Sequence, residues 1–225
     1  MSDSHVAVVD MGCKLGNAIQ EFVKKGSLYY DDDIRSIKPG DCLGVDRQDR
    51  FRGDLEARGY RFLHLDITAE NALLQLPAAD YYLAWDFLEH LPNLDWVSAV
   101  VKVMLHKARK GVWIRMPSFE QDATGEGALK EMGLRFAWTN WHGHPSAVLV
   151  EDVVRIVNDY KAETLRSSVS LKLKPSKRVM ATDDPCVVPI DAPMDTAAYN
   201  PNLGVKPVKN LDPPLVAQWE AVIKI

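Results

Sequence analysis

The sequence predicts an α/β fold, in which a doubly wound and mostly parallel sheet is flanked by helices. Three observations carry the prediction. Short apolar runs ending in a carboxylate recur at Asp10, Asp46, Asp66 and Asp86. Stretches with helical spacing of apolar residues separate them, the pattern of successive βαβ units. The first run also leads into a glycine-containing turn, at the point where such sheets hold their ligands.

Val6, Ala7, Val8 and Val9 form a run too short for a helix and suited to a central strand covered on both faces. Gly12 and Gly16 follow, where the chain can turn or approach a ligand without a Cβ. A helix starting near Asn17 would offer free amides to an anionic group. Cys42, Leu43, Gly44 and Val45 make a second run, closed by Asp46. An acid there either takes the two hydroxyl protons of a ribose or caps the next helix. Phe51 and Leu55, one turn apart, mark that helix. A third strand spans 60–68 and contains Asp66, a fourth spans 79–86 and ends in Asp86, and a fifth spans 111–116. Leu94, Val97, Val101 and Met104 share one face of the helix between the last two.

Four motifs stand in this order: Val9-Asp10-Met11-Gly12-Cys13-Lys14-Leu15-Gly16, Gly44-Val45-Asp46, Leu65-Asp66-Ile67 and Phe87-Leu88-Glu89-His90-Leu91-Pro92. With them, residues 1–120 resemble the class I S-adenosylmethionine-dependent methyltransferases, most closely the branch with Glu-His-Leu after the fourth strand. The resemblance implies a Rossmann-like seven-stranded sheet of order 3-2-1-4-5-7-6 with the last strand antiparallel, and S-adenosyl-L-methionine as cofactor. It implies that Asp10, Gly12 and Gly16 run under the methionine portion, while the Lys14 side chain must point away or reach toward the ligand's carboxylate. Asp46 then grips the ribose, Asp66 meets the adenine amino group, Ile67 packs on the ring, and Asp86 joins the cofactor residues. Lys14 departs from the family pattern by standing where a middle glycine is usual. The distance from Asp10 to Asp46 is also long, because residues 26–40 read as an insertion. A rival alignment ends the second strand at Tyr30 and uses Asp31, Asp32 or Asp33 for the ribose. Asp46 is preferred, since its separation from Asp66 fits one helix and one strand.

At 225 residues and 47% hydrophobic, the chain can bury one substantial core. It is read as a methyltransferase-like domain over 1–190 and a Pro-rich extension over 191–225. The formal net charge of −4 argues against affinity built on neutralising phosphate backbones, so no nucleic-acid partner is expected. Lys172, Lys174, Lys177 and Arg178 read as one exposed face. Cys13, Cys42 and Cys186 are odd in number and lack metal-type spacing, which suits reduced thiols and a cytoplasmic setting. No signal peptide or apolar run long enough to span a membrane is expected.

Residues 135–145 gather Trp138, Trp141, His142 and His144. They form either a pocket wall, with imidazoles that can take a proton, or a core segment and a turn. His90 is the first candidate base, followed by His142 and His144. His90 could alternatively close its loop by bonding a backbone carbonyl, and Glu89 could orient it or bond an amide. No metal is expected, because His142 and His144, two apart, have no nearby cysteine or carboxylate cluster to complete a shell.

Farther on, Val150, Val153, Val154 and Val157 define a helix, and residues 165–174 alternate apolar and polar. Residues 178–182 and 186–190 are the expected antiparallel partner. Seven of the 13 prolines fall between Pro185 and Pro214, so this stretch reads as a strap or partner-contact arm ending in a short helix over 215–219. The function these features imply is methyl transfer to an oxygen or nitrogen of a small molecule or saccharide. Two other readings stand beside it: an inactive cofactor-binding scaffold, suggested by Lys14, and a dinucleotide-dependent dehydrogenase, disfavoured by the missing middle glycine.

Overall fold

The computed structural model describes residues 5–30, 34–122, 125–139, 141–193, 206 and 208–225. The rival ribose acids Asp31, Asp32 and Asp33 lie outside the described residues, as does much of the Pro-rich stretch.

The first apolar run forms β1 (Val8–Met11), buried throughout. The glycine turn leads into α1 (Asn17–Lys25), which lays Ala18, Ile19 and Phe22 on the sheet. Next come β2 (Cys42–Asp46), α2 (Arg52–Ala57), β3 (Arg61–His64), the short α3 (Ala72–Gln75) and β4 (Ala79–Trp85). α4 (Leu94–Lys107) starts where the Asn93 side chain accepts from the Trp96 amide at 3.0 Å. It buries Val97, Val101 and Met104 as its spacing predicts, and leads to β5 (Ala108–Pro117). The second half adds α5 (Gly127–Lys130), β6 (Leu134–Phe136), α6 (Val150–Thr164), β7 (Ser170–Ala181), β8 (Val187–Pro189) and β9 (Asn210–Lys224). In α6, Val153 and Val157 face inward with Ile156 and Tyr160, and Val150 and Val154 sit at the margin.

One seven-stranded sheet runs β3-β2-β1-β4-β5-β9-β7. Counting only its own strands, that order is the 3-2-1-4-5-7-6 read from the sequence. β1 to β5 pair in parallel, and β9 is antiparallel to both neighbours. The fold class is therefore the one the sequence implies.

The residues that supply the last strands are different. β7 pairs with β9, whereas residues 187–189 join β6 in a separate two-stranded sheet. The expected helix at 215–219 lies inside β9. Leu215, Val216, Ala217, Ala221, Val222 and Ile223 are all buried, and a short run buried on both faces has the same apolar signature in a strand or a helix. Pro213 and Pro214 fall where the pairing with β7 shifts register, between Asn210 and Leu215, so their missing donors break no regular ladder.

The 26–40 insertion is fastened to the α1 face of the sheet. Tyr30 and Ile34 are buried, and the Tyr30 hydroxyl donates to the Val112 carbonyl at 2.9 Å. Gly111 makes the room, because a Cβ there would sit 2.3 Å from Tyr30 Cε1 and 2.7 Å from the Ile223 carbonyl oxygen. A satellite cluster beneath the small sheet gathers Leu129, Phe136, Val179, Val187 and Leu215.

Candidate active site

The carboxyl ends of β1, β2 and β4 and the turn after β3 open on one cleft of about 310 Å³, at the lower end of the range for small-molecule sites. At its floor the chain turns through Gly12 (φ +65°) and Gly16 (φ +73°). A Cβ on Gly12 would lie 2.5 Å from Phe87 Cδ2, so the cradle exists only because glycine stands there. Lys14 between them also adopts a left-handed conformation, at φ +44°. Its side chain is exposed, and its backbone amide donates to Asp46 Oδ2 at 3.2 Å.

Asp46 is buried at the end of β2, and its Oδ1 accepts the Gln48 amide at 2.8 Å. Each carboxylate oxygen thus keeps acceptor capacity for a hydroxyl. Asp66 stands across the same cleft in a tight turn, where Oδ1 accepts the Thr68 amide at 3.0 Å and the Thr68 hydroxyl at 2.7 Å. Those bonds hold its carboxyl below the usual carboxylate range. Ile67, buried beside it, lines the apolar part of the cleft.

A second hollow opens on the other side of the Gly12 and Lys14 loop, lined by Asp10, Asn17, Trp85, Asp86 and Arg115. Asp10 is buried, its Oδ2 has no hydrogen-bond partner among the described residues, and its pKa is pushed up to about 8. Burial is the main cause, the Asp46 charge adds to it, and Arg115 opposes it. Asp86 (φ +48°) accepts from Arg115 Nη2 at 2.7 Å and from Gln218 Nε2 at 3.2 Å. The Arg115 guanidinium lies 4.2 Å from the Trp85 ring centroid. Arg115 and Gln218 are additions to the sequence reading. Arg115 had a signal, a cation inside the otherwise apolar run 112–116, whereas Gln218 reaches the site only because β9 lies next to β5.

At the cleft mouth the structure brings His90 and His144 together, with ring centroids 4.8 Å apart. Trp141 meets both edge-on, at 5.8 Å and 4.5 Å. His142 is exposed. His90 Nδ1 lies 2.7 Å from the Gly143 carbonyl oxygen, and His144 Nδ1 lies 3.1 Å from that of Trp138. Because a carbonyl only accepts, each Nδ1 carries the proton and each Nε2 keeps its lone pair. Burial lowers both pKa values, that of His144 to about 4 with help from His90, so both rings are neutral at pH 7.

Glu89 does not orient His90. It is buried with Oε2 unpartnered among the described residues, and burial pushes its pKa up to about 8. The two tryptophans divide between the alternatives the sequence left open. Trp138 stacks on Phe136 at 4.7 Å and donates to the Ser118 carbonyl at 2.8 Å, while Trp141 lines the cleft. The fold brings a carboxylate, Glu89, within 4.8 Å of the imidazoles of His90 and His144.

No protein-family model and no curated protein matches the sequence. Solved structures do. A SAM-dependent methyltransferase from Archaeoglobus fulgidus matches with a TM-score of 0.58 at 14% identity, covering 99% of this chain and 87% of that one. A cyclopropane-fatty-acyl-phospholipid synthase-like protein from Lactobacillus casei matches with a TM-score of 0.54 at 10% identity, covering 97% and 84%. The plantazolicin methyltransferase BamL, solved with a triazolic desmethylPZN analog and SAH, matches with a TM-score of 0.51 at 13% identity, covering 97% and 76%. The likeness establishes a class I methyltransferase fold.

Proposed function

We propose that the chain is an S-adenosylmethionine-dependent methyltransferase acting on an oxygen or nitrogen of a small molecule or saccharide. The observation that carries this reading is the convergence of Asp46, Asp66, Ile67 and the Gly12 cradle on one cleft that His90 also lines. Structural neighbours described as methyltransferases, one of them solved with SAH, support it. The dehydrogenase reading loses ground, because a dinucleotide sheet is parallel in the order 3-2-1-4-5-6, whereas β9 here is antiparallel.

The residues present fit the cofactor. Asp46 offers a carboxylate to the two ribose hydroxyls, and Asp66 offers one to the adenine amino group over Ile67. The unpartnered Asp10 oxygen and the Asp86–Arg115 pair border the hollow that suits the charged methionyl end. Lys14, exposed on the loop, is placed to reach the methionyl carboxylate instead of filling the cradle. Bound there, S-adenosylmethionine supplies a methyl group on a sulfonium that is already a good leaving group. The main task of the chain is then to position the acceptor, worth several kcal/mol, within the wall made by Phe87 and Trp141. His90 lines the cleft with His144 beside it, and an Nε2 lone pair there can take a hydroxyl or amine proton, a contribution of roughly 10²–10⁴-fold. The acidic net charge of −4 and the aromatic wall favour an uncharged or cationic acceptor over a polyanion.

Calorimetric titration of the full chain with S-adenosylmethionine, SAH and NAD tests the reading. Saturable binding of the first two without NAD is the expected outcome. Binding of NAD alone, or of none, would remove it.

A further inference from the structure

Glu89, His90 and His144 each offer one ligand atom, and the three atoms lie within 4.8 Å of one another. Several independent features prepare these atoms for a cation. Both imidazoles spend their Nδ1 protons on backbone carbonyls, His90 on Gly143 and His144 on Trp138, which leaves both Nε2 lone pairs available as ligands. A ring proton held by a carbonyl is the support that metal-binding histidines usually have. Glu89 is only 1% exposed, and its Oε2 has no partner among the described residues. A buried polar oxygen left so is destabilising unless something meets it.

We propose that Glu89, His90 and His144 bind a divalent first-row transition cation. Two imidazoles and one carboxylate suit manganese, iron, cobalt or zinc, whereas calcium and magnesium prefer oxygen ligands throughout. An ion about 2.0–2.2 Å from each ligand needs ligand atoms roughly 3–3.5 Å apart, so the widest pair draws together by up to roughly 1.3–1.8 Å on loading. Three protein ligands leave further positions open, and His90 lines the cleft, so those positions are reachable by an oxygen of a bound acceptor.

The use of the ion rests on the methyl-transfer reading. The two imidazoles are then ligands and not free bases, and the ion lowers the pKa of an acceptor hydroxyl bound to it. The hydroxyl proton leaves to water, the oxygen forms a bond to the methyl carbon, and the carbon–sulfur bond breaks with its electron pair going to sulfur.

The test is titration of the full chain, stripped with EDTA, with Co²⁺, followed by calorimetry and by visible absorption. S-adenosylmethionine binding is measured on the same samples. One Co²⁺ per chain is expected, weakened at least tenfold in Glu89→Gln and in His144→Ala and unchanged in His106→Ala, whose ring is exposed on α4 away from the cleft. Thermal unfolding checks that each variant is folded, and the half-buried His144 carries the test should Glu89→Gln fail to fold. A wild-type chain that binds S-adenosylmethionine but takes no cobalt overturns the site and leaves the methyltransferase reading standing. Cobalt held equally by wild type and both ligand variants also overturns it. Cobalt bound as expected without any S-adenosylmethionine binding supports the site and removes the methyltransferase reading.

Discussion

The backbone amide of Lys14 donates to Oδ2 of Asp46 at 3.2 Å, so the residue that departs from the glycine pattern joins Gly12 and Cys13, whose amides donate to the Val45 carbonyl, in tying the loop after β1 to the end of β2. The bond uses the main chain, and the exposed side chain leaves the cradle open.

Lys14 sits at φ +44°, a conformation that costs a side-chain-bearing residue roughly 1–2 kcal/mol. Lys14→Gly removes that strain while loosening the unfolded chain, and is expected to stay within about 0.5 kcal/mol of wild type. Lys14→Val, β-branched at positive φ, is expected to lose about 1–2 kcal/mol. Urea unfolding of the two variants decides between strain and tolerance.

Asp46→Ala is expected to weaken S-adenosylmethionine binding by about 1–3 kcal/mol, a factor of roughly 5–150. Calorimetry reads the change, with near-ultraviolet circular dichroism as the check on folding. Unchanged affinity in a folded variant would mean that the ribose is held elsewhere.

Asp10 titrates near 3.8 in the unfolded chain and at about 8 in the folded one. The folded state therefore holds the extra proton between those values, and stability falls as pH rises through that window. The slope reaches about 1.4 kcal/mol per pH unit for one proton. Asp10→Asn, which has no carboxyl to titrate, is expected to flatten the stability profile and to gain most over wild type near pH 8. Denaturant midpoints at pH 5, 6.5 and 8 measure it, and parallel profiles for the two proteins would refute the assignment.

Arg135 is 1% exposed and donates to the carbonyls of Phe136, Ala137, Ala192 and Pro193 at 3.0–3.3 Å. Its fork holds residues 192 and 193 against β6. Arg135→Met removes the guanidinium from the Ala137, Ala192 and Pro193 carbonyls, while Phe136 keeps the Thr139 hydroxyl, and is expected to cost about 2–4 kcal/mol. Arg135→Lys keeps the charge but not the planar fork, and is expected to recover only part of that loss. Thermal unfolding compares the three proteins.

The parallel half of the sheet was legible because β1, β2, β4 and β5 are buried on both faces, and their apolar runs announce it. The strand-end acids were legible for the same reason, since a carboxylate closing such a run falls at the ligand edge. β9 was not, because two prolines precede an apolar run whose period suits either a strand or a helix. The grouping of Glu89 and His90 with His144 was equally hidden. It depends on the turn at 141–146, where the Ser146 amide donates to the Glu89 carbonyl at 3.2 Å and the Ser146 hydroxyl to that of Leu91 at 2.8 Å. No local pattern encodes contacts across more than fifty residues.

The placement of β9 between β5 and β7 sets an order of assembly during synthesis. Until residues 210–224 emerge from the ribosome, β5 has one vacant ladder and β7 has no neighbour at all in the seven-stranded sheet. The nascent protein therefore carries two bare edges, the kind of surface that recruits foreign strands. A chaperone able to cover them would matter most in that interval, and a premature stop upstream of Asn210 would make the exposure permanent.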